Sequence, residues 1–97
     1  MIVIVATIQV KPDKVRDFEQ VARELEAAVE ANEAGCLMYR MTKSRIEAFT
    51  YKNVECFRDQ DALDLHTESA YFQAALKPLR ECVSAPSHVE FLDTLIE

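Results

Sequence analysis

Cys36-Leu37-Met38-Tyr39-Arg40-Met41-Thr42-Lys43-Ser44-Arg45-Ile46-Glu47-Ala48-Phe49-Thr50-Tyr51-Lys52-Asn53-Val54-Glu55-Cys56-Phe57 is the stretch on which the fold turns. Two runs in it, Cys36–Thr42 and Ile46–Phe57, have the β-branched and aromatic content of strands, and the short polar Lys43-Ser44-Arg45 between them predicts a hairpin turn. Upstream, Val15, Phe18, Val21/Ala22, Leu25 and Ala28/Val29 recur at three- and four-residue steps, one face of a long amphipathic helix. Lys14, Arg16, Glu19, Arg23, Glu26 and Glu30 make its wet side. Pro12 and Asp13 mark its start, the latter as a cap, and Gly35 supplies the left-handed residue that stops it. Before it, Ile2–Val10 reads as a strand. Downstream, a second helical region begins at Asp59, with Ala62, Leu63 and His66 on one face and then Phe72, Ala75, Leu76, Leu79 and Val83 at helical spacing. Pro78 predicts a kink or restart near Lys77, and Ser87–Ile96 after Pro86 reads as a last strand.

The order β-α-β-β-α-β is the split βαβ arrangement: an α+β, ferredoxin-like fold with a four-stranded antiparallel sheet and two helices on one face. That leaves the other face to explain. Ile2, Ile4, Ala6, Ile8 and Val10 point one way along the first strand, and Val3, Val5, Thr7 and Gln9 the other. On the third strand Phe49, Tyr51 and Phe57 oppose Ala48, Val54 and Cys56. Both faces are apolar where a wetted sheet would alternate, so a second copy is expected to cover the open face, giving a homodimer.

Ninety-seven residues, 49% hydrophobic and 29% charged, fit one domain over 1–97 with a thin core. A formal charge of −6 and the lack of a basic stripe argue against nucleic acid and anionic membranes as partners. Gly35 is the single glycine, which excludes glycine-rich phosphate loops. Ile2–Ala6 is too short for a signal peptide or membrane span, and Cys36, Cys56 and Cys82 lack disulfide or redox spacing, so a cytoplasmic protein with reduced thiols is expected. His66 and His88 with those cysteines have no metal-ligand spacing, and Ser84 and Ser87 lack nucleophile-elbow glycines.

The densest run leaves a strand at Glu55-Cys56-Phe57, passes Asp59, Ala62-Leu63 and His66, and ends at Ser69 and the pair Tyr71-Phe72. With Gly35-Cys36-Leu37 and Tyr39-Arg40 upstream, it resembles the antibiotic biosynthesis monooxygenase family of dimeric α+β barrel proteins. The resemblance spans the chain in element order. It implies a small-molecule pocket between sheet and helices in each protomer of a dimer. Within that family some members oxidise quinols or aromatic polyketides with oxygen and without flavin, haem or metal. Others isomerise or degrade a small signalling molecule, and a third group degrades haem. Phe57 stands where many members carry tryptophan, and Thr7 where haem-degrading members have asparagine, so the resemblance points away from haem degradation.

The candidate catalytic residues are His66 and Glu55. Imidazole, with a pKa of about 6.5, can take a phenolic proton so that the electron-rich substrate itself reduces oxygen, and a nearby carboxylate can orient it. The competing reading makes His66 a satisfied helix histidine and pairs Glu55 with Arg58 or Arg40 at the surface. Tyr51, Asn53 and Glu55 share a strand face, where Tyr51 and Asn53 can bond a substrate hydroxyl or line a dimer interface. Tyr71 and Phe72 are candidates for substrate packing, and Arg40 for anchoring an acidic group. The expected function is a cofactor-independent monooxygenase acting on a quinol or related hydroxylated aromatic. The alternatives are an isomerase or degradative enzyme for a small polar metabolite, or a non-enzymatic small-molecule-binding dimer module.

Overall fold

The computed structural model describes residues 1–96. Strand β1 (Ile2–Gln9) lies inside a four-stranded antiparallel sheet of order β2-β3-β1-β4, with β2 at Cys36–Lys43, β3 at Thr50–Phe57 and β4 at His88–Asp93. Helices α1 (Val15–Asn32), α2 (Gln60–Glu68) and α3 (Ala70–Cys82) form the second layer. The ferredoxin-like order read from the sequence is therefore present, with the second helical region in two pieces.

Helix α1 buries Phe18, Ala22, Leu25 and Val29, the stripe its periodicity predicts. Its start differs from expectation. Pro12–Lys14 form a 3-10 turn, and no side chain caps α1, so Asp13 sits inside the turn. Gly35 does not adopt the left-handed conformation expected of it. The glycine is required by space: a Cβ there would lie 2.7 Å from the Cβ of Ala62, so α2 can approach the α1–β2 junction only over a bare backbone.

The hairpin turn is longer than Lys43-Ser44-Arg45. Ser44 Oγ accepts from the amides of Ile46 at 3.2 Å and Glu47 at 2.9 Å, and this takes those residues out of the ladder, so β3 begins at Thr50. Phe49 closes the turn at φ 59°. The break in the second helical region falls at Ser69 and not near Lys77. Ser69, at ψ 145°, donates its hydroxyl to His66 O at 2.7 Å and accepts from the Phe72 amide at 3.3 Å, ending one helix and starting the next. Pro78 lies within α3, and the carbonyl it leaves without a donor belongs to exposed Ala74, where water can serve it. Strand β4 stops at Asp93, short of the expected Ile96, and Val10 leaves β1 for an isolated bridge to Val83.

The pairings Ile4↔Glu55, Ala6↔Asn53 and Tyr39↔Glu55 bring those side chains together on the helix-covered face. The core there has two clusters. Ile4, Leu25, Val29, Tyr39, Phe57, Leu63 and Ala75 form one, and Val10, Phe18, Ala22, Tyr51 and Cys82 the other. Across the uncovered face the register lays out rows. Met38, Cys56, Val3 and Leu92 form an apolar row, Arg40, Val54, Val5 and Glu90 a mixed one, and Thr42, Lys52, Thr7 and His88 a polar one. Leu92 and Met38 are exposed.

Candidate active site between the sheet and the helices

A half-enclosed cavity of about 640 Å³ lies under the helix layer. Its lining draws on both core clusters, Ile4, Leu25 and Leu63 from one and Phe18 and Ala22 from the other. Ala6, Met41, Asn53 and Glu55 add to its floor, and His66, Phe72 and Leu76 come from the helices. Val89 and Phe91 of the edge strand border it and stay exposed, which places the mouth along β4. The volume falls within the range of small-molecule sites.

Glu55 sits in the floor, two residues inside β3, and is 8% exposed. The Asn53 amide donates to its Oε2 at 3.0 Å. Burial in apolar surroundings pushes its carboxyl up from 4.5 to about 7; the Asn53 bond pulls the other way, and the negative charge of Glu33 adds to the rise. The phenol of Tyr39, opposite Glu55 on β2, is raised by the same burial and by Glu55 itself. Asn53 Oδ1 is buried without a hydrogen-bond partner. The floor thus holds an unpaired, buried amide oxygen beside a carboxyl poised to hold or release a proton near neutrality. The surface pairing with Arg58 or Arg40 is not formed: Arg58 reaches Asp59 at 3.6 Å, and Arg40 donates to the Tyr39 carbonyl at 3.0 Å.

His66 is held above that floor by α2, at 2% exposure. Its ring packs among Tyr39, Phe57 and Phe72, with centroids at 5.2, 5.2 and 4.6 Å. Nδ1 is 3.0 Å from Oε2 of Glu33, which also accepts from the Tyr71 hydroxyl. A carboxylate on Nδ1 favours the tautomer with its proton there and leaves Nε2 as the basic nitrogen. Glu33 is a residue that sequence reasoning missed. It follows the last turn of α1, where its amide bonds Val29 O at 2.9 Å, and it looks like one more acid on a wet helix end.

The structure brings His66, Glu55, Asn53 and Phe72 to one cavity. It puts Tyr51, Tyr71 and Arg40 elsewhere. Tyr51 packs at a tilt on Phe18, centroids 4.8 Å apart, and donates to Glu19 Oε2 at 2.6 Å, which pulls the Glu19 carboxyl down; burial, and after it this bond, push the phenol up to about 12. Tyr71 turns to Glu33, and Arg40 stands on the uncovered face of the sheet. Among the described residues no three His, Cys, Asp or Glu side chains gather as a metal site would need.

A split βαββαβ sandwich with a ligand-sized apolar cavity under its helices, and buried imidazole and carboxyl groups in its lining, defines a class of small α+β proteins. Residues 1–78 match the family described as antibiotic biosynthesis monooxygenase, and the chain belongs to that family. It is 35% identical over 89 residues to "Putative monooxygenase YcnE" of Bacillus subtilis (strain 168), covering 92% of this chain and 93% of that protein. The crystal structure described as "a putative antibiotic biosynthesis monooxygenase" from Caulobacter crescentus CB15 superposes with a TM-score of 0.94 at 39% identity, over 97% of this chain and 89% of that one. A conserved protein from Methanosarcina mazei Go1 superposes at 0.87 with 27% identity, over 94% and 89% of the two chains.

Proposed function

We propose that residues 1–97 form one domain of a cofactor-independent monooxygenase, cytoplasmic and homodimeric, that oxidises a quinol or related hydroxylated aromatic. The observation that carries this reading is the cavity itself: apolar walls of ring-sized volume, with His66 on one side and the Glu55–Asn53 pair on the other. His66 Nε2 takes a phenolic proton, and the Asn53 acceptor with Glu55 holds a second hydroxyl. The resulting anion is electron-rich enough to reduce oxygen. One oxygen atom enters a ring carbon and the other leaves as water. All four electrons come from the substrate, so a quinol with a free ring position ends as a hydroxyquinone. Phe72 and Tyr39 flank the ring that takes the proton.

A second reading, isomerisation of a small metabolite, draws on the same two acid–base groups, since moving a hydrogen between carbons needs a base and an acid on either side. It requires no oxygen. The mainly apolar lining favours an aromatic over a polar metabolite, and the burial of His66 and Glu55 argues against a passive binding module, in which they would face solvent. Incubation of metal-free protein with a naphthoquinol under ¹⁸O₂ separates them: one labelled oxygen per product supports the monooxygenase, and turnover that persists without oxygen supports the isomerase.

The homodimer is supported by the uncovered face. A two-fold axis along the strands would lay the β2 edge of one copy over the β4 edge of the other. Met38 would then meet Leu92 in the apolar row, and Arg40 would meet Glu90 in the mixed row.

A further inference from the structure

A line of hydrogen bonds runs away from the cavity through the wall behind His66. It passes from His66 Nδ1 to Glu33 Oε2 at 3.0 Å, and the same oxygen accepts from the Tyr71 hydroxyl. Tyr71 does not line the cavity. It lines an open depression on the other side of α2, with Asn32, Asp61, Leu65 and Glu68. Asp64 borders both spaces, so α2 is the partition between them. Glu33 Oε1 is buried and has no partner, so both hydrogen bonds of the carboxyl converge on Oε2, the one atom that His66 and Tyr71 share.

We propose that Tyr71, Glu33 and His66 form a proton path from the cavity to the outer depression. The proposal rests on the reading of His66 as the base that takes a proton in the cavity. An apolar substrate filling the space between His66 and the mouth shuts out the water that would otherwise remove that proton. The path supplies another exit. A proton arriving at Nε2 releases the one on Nδ1 to Glu33. The Tyr71 hydroxyl, which donates to Glu33 at rest, turns to the depression, gives its proton to water there and accepts the proton that Glu33 carries. One proton enters and one leaves; Glu33 and Tyr71 end as they began, and His66 ends as the Nε2–H tautomer, which resets when Nδ1 regains a proton along the same path as Nε2 gives up its own. Glu33 and Tyr71 are thus positioning and relay residues, and neither touches the substrate.

Exchange of the His66 Nδ1 proton with water, measured by NMR on ¹⁵N-labelled full-length protein, tests the path without turnover. Tyr71→Phe should slow that exchange by about ten-fold or more while the ring nitrogen shifts keep the same tautomer. Ala6→Leu, which fills the cavity floor, should leave the rate unchanged. An unchanged rate in Tyr71→Phe, or a rate that collapses in Ala6→Leu, overturns the path, because the proton then leaves through the cavity. A purely structural lock would lower the melting temperature of Tyr71→Phe without slowing exchange, which also overturns it. The outcomes separate from those of the monooxygenase reading: slowed exchange in a protein that consumes no oxygen removes the reaction and keeps the path, and oxygen consumption with unaltered exchange removes the path alone.

Discussion

At the residue scale the cavity floor holds Glu55, a carboxyl that burial keeps partly neutral. Its position was legible in the sequence because Tyr51, Asn53 and Glu55 alternate onto one strand face. Its environment was not, since only the packing of Ile4, Tyr39 and the helices shows that this face is dry. The folded value of about 7 lies above the ordinary 4.5, so between those pH values the native state keeps a proton that the unfolded state has lost. The stability from this group is complete below pH 4.5 and disappears as the pH rises through 7, a loss of about 3 kcal/mol. Urea titrations of wild type and Glu55→Gln across this window should diverge by that amount, with the glutamine variant keeping its stability; parallel curves would show that the floor is wet. Glu33 and His66 stand 33 positions apart, and no spacing rule joins them. Only the fold shows that the acid after α1 is buried against the histidine of α2.

At the scale of elements, strand and helix periodicity carried nearly the whole architecture, and the departures come from side chains competing for backbone groups. Ser44 draws Ile46 and Glu47 out of the ladder, and Ser69 divides the second helical region, whereas Pro78 is absorbed because exposed Ala74 bears the missing bond. Gly35 was read as a helix stop and proves to be a clearance for Ala62. Gly35→Ala should therefore cost about 1–3 kcal/mol by overpacking. Ala62→Gly in the same chain should recover part of that loss although it weakens α2 alone by about 1 kcal/mol. Thermal or urea unfolding of the two single variants and the double variant reads the coupling. Strictly additive losses would mean that the contact is relieved elsewhere.

At the scale of the whole molecule, a small domain that gives part of its interior to a cavity gains from covering its second sheet face. Wild type should sediment at twice the chain mass at micromolar concentration. Arg40→Glu should weaken the dimer, and the double exchange Arg40→Glu with Glu90→Arg should restore it; a monomeric wild type, or no recovery in the double variant, would refute the pairing across the mixed row. In the proposed reaction the buried histidine drives oxidation of a phenolic substrate by oxygen. Oxygen uptake, measured with an electrode on metal-free protein and a naphthoquinol, reads that step. The rate should exceed autoxidation and fall by about 100-fold or more in His66→Ala. Uptake no faster than autoxidation, or the same rate in His66→Ala, would contradict it.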